Sequence, residues 1–298
     1  MGDVQISAAH CSGCGLCVDL CPDKAIRLRD GVAVLIHDDC FLCGHCRAVC
    51  PEDAILIPPL VTRLSLTNIP LAQQNTNSSV SPGQLAELMA RRRSCRHFQK
   101  QQLDIAMFHD LVQFGITAPS GTNSQQWGFT ILATREDVLA LGRLVGNYYR
   151  KVNRLAIIPG LAEGLRLIGR PALWRYRRRY HESVAEALRE WGERGIDRLF
   201  HGATGAILVS GRRTASCPVE DSLLATQNIL LAAESMGLGT CLIGFAVEAA
   251  RRERLIRDVL QLQADEELHS VIALGYPAVR WRRFSGRRGA QTRVLSLA

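Results

Sequence analysis

From residue 83 onward the apolar positions recur with helical spacing in some stretches and as short solid runs in others. GQLAELMARR (83–92) and LDIAMFHDLVQFG (103–115) have the helical spacing. Ser81-Pro82-Gly83-Gln84 has the form of a helix start, with Ser as N-cap, Pro at the first helical position and Gln three residues after the cap. WGFTILAT, GAILVSG and HSVIALGY are apolar, β-rich and bounded by turn residues, which predicts strands. EDSLLATQNILLAAESMG (220–237) is apolar nearly all round, which predicts a buried helix suited to meet another subunit. Residues 151–200, with RPALWRYRRRYHES at their centre, read as additional arginine-rich helices, an insertion or lid.

The first sixty residues follow neither pattern and end near Pro58-Pro59. The run from 61 to 82 includes LAQQNTNSSVSP, polar, unpatterned and closed by a proline, and reads as a linker. The expected organisation is a head at 1–60, a linker at 61–82 and a body at 83–298. With 298 residues and 47% hydrophobic composition the chain can furnish a substantial core. MGDVQISAAH lacks the basic start and apolar run of a secretory signal, and no window has the length of a membrane span. A cytoplasmic protein with no membrane partner is expected. The formal charge of +8 is uneven: residues 1–60 carry four basic against eight acidic side chains, a net of −4, which leaves about +12 on the rest. An acidic head and a basic body are suited to dock on each other, or the body to attract an acidic partner.

Eleven cysteines without an export signal point to metal or redox chemistry. Eight of them fall in two runs of C-x2-C-x2-C-x3-C-P: Cys11, Cys14, Cys17, Cys21 with Pro22, and Cys40, Cys43, Cys46, Cys50 with Pro51. The second copy repeats the Gly after the second Cys and the Ala-Ile that follows the Pro, so Ala25-Ile26 corresponds to Ala54-Ile55. Four-cysteine zinc sites normally come as pairs of C-x2-C knuckles, in which the third tight Cys and the trailing Cys-Pro have no role. The head resembles bacterial-type two-cluster ferredoxins over residues 3–58, and in these the fourth Cys of each run ligates the other cluster. The resemblance assigns one 4Fe-4S cluster to Cys11, Cys14, Cys17 and Cys50, and the other to Cys40, Cys43, Cys46 and Cys21. Ligation also staples a domain too small to fold well alone. Cys95, Cys217 and Cys241 read as small buried hydrophobes.

In the body, RRRSCRHF (91–98) gathers four arginines in six positions. Such a run is commonly a solvated face, and its guanidinium forks also suit a phosphate. APSGTNSQQW (118–127) is a loop of small residues and amides that lets a planar ligand approach the backbone. With GLGTCLIGF (237–245) and ALGYP (273–277), these motifs occur in the order found in nitroreductase-like flavoproteins, which residues 83–298 resemble apart from the insertion. The resemblance implies an α+β fold with a central mixed sheet flanked by helices, a homodimer, and FMN at the subunit interface. It places Arg92, Arg93, Ser94 and Arg96 on the FMN phosphate and nearby ribityl oxygens. Pro119, Ser120, Gly121 and Asn123 would contact the flavin from the other subunit, and Leu242, Ile243 and Gly244 would line the ring. Arg287 or Arg288 would complete the phosphate site. Gln126, where Pro often precedes the Trp, and the insertion both fall near the substrate.

Iron–sulfur clusters pass single electrons and FMN takes one or two, so the fusion is expected to be an oxidoreductase. In this reading a one-electron donor such as ferredoxin feeds the clusters, and the flavin reduces a small organic acceptor: a nitroaromatic, quinone or activated alkene. The alternatives are NAD(P)H oxidation with electrons flowing out through the clusters, and a non-catalytic electron-transfer subunit or redox sensor. No nucleotide fingerprint is present. Arginine interleaved with aromatics does not by itself indicate nucleic acid, which is not an expected partner. No protein general acid is assigned, and His97 and His109 sit in no motif that demands one.

Overall fold

The computed structural model describes residues 4–37, 40–60, 64–70 and 80–297. The head runs β1 (Gln5–Ile6), α1 (Leu16–Leu20), β2 (Ile26–Arg29), β3 (Val32–Leu35), α2 (His45–Val49) and β4 (Ile55–Leu56). β1 pairs with β4, and β2 pairs with β3 across an Asp30-Gly31 turn whose two residues both have positive φ. Each short helix starts after a left-handed glycine, Gly15 at φ 78° and Gly44 at φ 77°. A residue without Cβ takes that conformation freely, which is why the repeat keeps Gly between its second and third cysteines. The repeated Ala-Ile is also explained. The amides of Ala25 and Ala54 each donate to the fourth cysteine of their own run, at 3.3 Å in both cases, while Ile26 and Ile55 fill the head's small core with Val4 and Ile57.

The body continues with α3 (Pro82–Arg91), α4 (Ile105–Gly115), β5 (Trp127–Leu132), α5 (Arg135–Ala156), α6 (Leu161–Leu167), α7 (Ala172–Arg179) and α8 (His181–Arg194). It then forms β6 (Gly205–Arg212), α9 (Pro218–Ser235), β7 (Gly239–Leu242), α10 (Gly244–Arg252), α11 (Arg254–Val259) and β8 (Glu266–Gly275). Ser81 and Pro82 stand where the sequence puts them, but the serine side chain makes no capping hydrogen bond. The sheet order is β5-β6-β8-β7, each pair antiparallel, and an isolated parallel bridge joins Ser94 to Thr240 on the outer edge of β7.

Both faces of the sheet are covered. Ala206 and Leu208 of β6 join the core beneath α5, α10 and α11, whereas the alternating Ile207 and Val209 pack toward α4 and α9. Burial on both faces is the reason β6 and β8 read as solid apolar runs, while the edge strand β5 is half-buried throughout. The helix expected at 220–237 is α9. It buries Ala225, Ile229 and Ala233 but leaves Val219, Leu223 and Leu224 exposed, so in the single chain it is covered on one side only. Among the described residues no helix is long and apolar enough to cross a membrane.

Within the expected linker, residues 64–70 are tied to the body. Asp110, fully buried on α4, accepts from the amides of Thr67 (2.7 Å) and Asn68 (2.9 Å) and from the Asn68 side chain (2.9 Å), while Ser65 donates to Gln113. Burial would raise the Asp110 pKa, but these hydrogen bonds outweigh it and hold the carboxyl below the ordinary aspartate value. A lowered folded pKa gives stability that is complete above the unfolded value of about 3.9 and lost as pH falls through the folded value. Asp110→Ala is expected to lower the unfolding free energy at neutral pH by about 2 kcal/mol and to open residues 64–70 to protease. Asp110→Asn should flatten the dependence of stability on pH below about 4, measured by urea titration across that range.

Candidate functional site

The eight head cysteines sort into two enclosed cavities. Cys11, Cys14, Cys17 and Cys50 line one with Gly13, and Cys21, Cys40, Cys43 and Cys46 line the other with Phe41. The fourth cysteine of each run therefore faces the other run's three, as the ferredoxin resemblance implies. Among the described residues no three His, Cys, Asp or Glu side chains converge closely enough to hold a single ion. The amides of Ala33 and Leu42 donate to Cys11 and Cys40 at 3.4 Å, as polarised cluster sulfurs require. Burial pushes the Cys17 thiol up, and the nearby Cys11, Cys14 and Cys50 add to it. Burial likewise takes Cys46 up to about 11, with Cys43, Cys40 and Cys17 adding. Thiols so crowded ionise fully only with a cationic centre among them.

The body's expected site residues fall into two groups. On the β7 edge, Cys95 donates its amide to Thr240 and brings the arginine run alongside the strand. Of its arginines only Arg91 pairs with a carboxylate among the described residues, Glu234 at 3.7 Å. Arg93 is fixed by the carbonyls of Ala90 (2.7 Å) and Arg283 (2.9 Å). Arg92 and Arg96 lie close enough to favour the ionised form of the Cys241 thiol, although burial dominates and raises its pKa. Leu242, Ile243 and Gly244 continue from this edge; Ile243 is buried, and open space faces Gly244, where an added Cβ would meet nothing within 4 Å. Unpaired cations beside an open backbone segment fit an anion joined to a flat group. Arg287 and Arg288 are exposed, Arg287 bonding Ser285 and Gly286, and the tail arginines that share a cavity with Arg93 are Arg280, Arg282 and Arg283.

The loop 119–124 lies elsewhere. Gly121 donates its amide to Asp221 Oδ1 at 2.9 Å and Ser124 its hydroxyl to Asp221 Oδ2 at 3.2 Å, in the first turn of α9. A Cβ at Gly121 would meet Cys217 Sγ at 3.0 Å, so the loop needs glycine there. Thr122, Asn123 and Gln125 all have positive φ, an unusual concentration of strain outside glycine. Asn123 Nδ2 donates to the carbonyls of Leu42 (2.8 Å) and Phe41 (3.4 Å), between Cys40 and Cys43 of the head. Leu42 is itself left-handed, at φ 55°.

α9 measures the separation of the two groups. Asp221 holds the loop and Glu234 meets Arg91, thirteen residues apart on one helix, about 20 Å at 1.5 Å per residue. The sheet agrees: β5, which follows the loop, and β7 are opposite edges with β6 and β8 between them. One chain does not bring both groups to one point.

The insertion seats on the segment after Gly244. Tyr149 and Tyr180 meet Phe245 edge-on at 5.3 and 5.5 Å, Tyr176 stacks on Tyr149, and the Tyr149 hydroxyl donates to the Phe245 carbonyl. Burial raises the phenol pKa values of Tyr149 and Tyr176, so both stay neutral. The guanidinium groups of Arg166 and Arg178 both lie over the Trp174 ring, at 4.2 and 4.8 Å from its centre. Asp221 and Phe245 were missed from sequence: an acid in a helix's first turn reads as a dipole partner, and a lone Phe after Gly reads as core.

Known proteins match both parts. The model of the nitroreductase family matches residues 89–276, and that of the 4Fe-4S dicluster domain matches residues 10–54. A 4-nitrobenzoate reductase from Pseudomonas putida is 27% identical over 212 residues, covering 63% of this chain and 83% of the relative. In fold, the body resembles a nitroreductase with bound FMN from Bacteroides fragilis (TM-score 0.52, 20% identity, 70% of this chain and 98% of that one). It also resembles an FMN-dependent nitroreductase from Clostridium difficile (TM-score 0.51, 18% identity, 71% and 99%).

Proposed function

The chain belongs to the nitroreductase family and carries a 4Fe-4S dicluster domain ahead of the family's fold; from that premise we propose that it is a homodimeric, cytoplasmic reductase of nitroaromatic compounds fed by a one-electron donor of ferredoxin type. Two 4Fe-4S clusters supply single-electron transfer and FMN supplies the exchange between single electrons and pairs. The observation that carries the reading is the hydrogen bond from Asn123 to Leu42, which joins the loop expected at the flavin to the cysteine loop of the second cavity.

The chain's own residues then have distinct tasks. Arg92, Arg93, Ser94 and Arg96 bind the phosphate, and Leu242, Ile243 and Gly244 line the ring. Pro119, Ser120 and Gly121 of a second copy, lying antiparallel along the exposed apolar face of α9, complete the site that one chain leaves divided. Tyr180 and Phe245 limit water access and present an aromatic wall to the acceptor. Reduction of a nitro group to a nitroso group takes two electrons and two protons and releases water. The two protons are drawn from solvent.

The 4-nitrobenzoate reductase relative favours a nitroaromatic over a quinone or alkene. Anaerobically reduced protein is expected to be reoxidised by 4-nitrobenzoate; failure of every nitroaromatic tested, with quinones or enoates succeeding, would move the acceptor class. Tyr180→Ala is expected to raise the acceptor KM about 2- to 10-fold, the worth of one aromatic contact, without slowing reduction by ferredoxin. A change in ferredoxin reduction instead would make the insertion a docking surface.

A further inference from the structure

We propose that the electron path crosses the dimer: the head of each chain serves the flavin whose phosphate is held by the partner chain's arginines. The inference rests on the flavin and dimer reading above and adds the route. Three observations carry it. Residues 64–70, which follow the head within four positions of its end at 60, are tied in cis to Asp110 and Gln113 of α4, the helix that leads into the loop 119–124. Asn123 then joins that loop to Leu42, between two cysteines of the second cavity, and both residues of the contact are held in the left-handed region. Backbone strain on both sides of one hydrogen bond marks a contact that the surrounding structure enforces.

The third observation is α9, which keeps this loop about 20 Å from the same chain's arginine run. A flavin ring approaching the loop of one chain would therefore have its phosphate on the arginines of the other. The order of the wire follows: Cys21, Cys40, Cys43 and Cys46 hold the cluster next to the flavin, and Cys11, Cys14, Cys17 and Cys50 hold the inlet. Each donor molecule gives up one electron, and two such transfers with two solvent protons fill one flavin.

Two heterodimers of full-length chains, separated by different affinity tags, decide the route. In one, Arg92→Ala/Arg96→Ala is placed in one chain and Cys43→Ser in the other. In the second, all three substitutions are in the same chain and the partner is unchanged. Both carry the same folding burden, and each should retain one flavin per dimer, which flavin and iron counts verify. With reduced ferredoxin as the probe under anaerobic conditions, the crossing route predicts flavin bleaching at the wild-type rate in the first heterodimer. The second should bleach only at the background rate of iron-free protein. The reverse pattern, equal rates in the two, or a monomer that binds one flavin by itself overturns the crossing. If ferredoxin fails to bleach the flavin of the wild-type dimer, the inlet reading of the preceding section falls, and the crossing with it.

Discussion

Cys43→Ser is expected to remove one of the two clusters, lowering iron from about eight to about four per chain, and to reduce flavin bleaching by ferredoxin to the level of iron-free protein. Cys43 lines the second cavity beside Leu42, the residue that Asn123 grips, so its cluster is the one next to the flavin loop. Serine keeps the volume and loses the soft thiolate ligand. Flavin content and bleaching by dithionite should be unchanged, which separates a broken route from a lost cofactor. The crossed cavities add a stricter expectation. Cys21→Ser, although in the first motif, should leave the same residual spectrum as Cys43→Ser, and Cys50→Ser should match Cys14→Ser. Electron paramagnetic resonance of the reduced proteins reads the pairing directly.

The second large effect is expected at the arginines. Arg92→Ala/Arg96→Ala removes two cations that form no ion pair with a carboxylate among the described residues and that lie near Cys241, on the strand that leads into the buried Ile243 and the open Gly244. A hydrogen bond to a charged group contributes about 1.5–3 kcal/mol, so the pair should weaken FMN binding by ~100-fold or more. The measurement is flavin retained through gel filtration against added FMN, with iron content as the control for folding. Arg287→Ala/Arg288→Ala should cost less, because the tail arginines beside Arg93 are Arg280, Arg282 and Arg283.

What could be read from the chain alone was local. The cysteine spacing, the glycines at 15 and 44 and the Ala-Ile pairs each act within a few residues, so their structural consequences are visible in a quoted stretch. The strands at 205–212 and 266–275 were legible because burial on both faces leaves solid apolar runs, and the half-buried edge strand at 127–132 because its apolar residues are bounded by turn residues. β7 was not, since GLGTCLIG looks like a loop until β8 pairs with it. Contacts between distant segments were equally hidden. Asp110 looks like an ordinary polar position on an amphipathic helix, and only the strap from residues 64–70 explains its burial. Asn123 reads as a flavin contact, whereas its amide reaches the head. α9 reads as buried all round because its exposed Val219, Leu223 and Leu224 are as apolar as its core face.

The route from clusters to flavin is tested most directly by anaerobic stopped-flow mixing of the oxidised protein with reduced ferredoxin, following iron–sulfur and flavin absorbance together. Iron–sulfur bleaching is expected to precede flavin bleaching in the wild type, and Cys43→Ser to keep the first phase and lose the second. Flavin bleaching at the same rate in both proteins would contradict that route, as would bleaching by NADPH alone that reaches the flavin before the clusters.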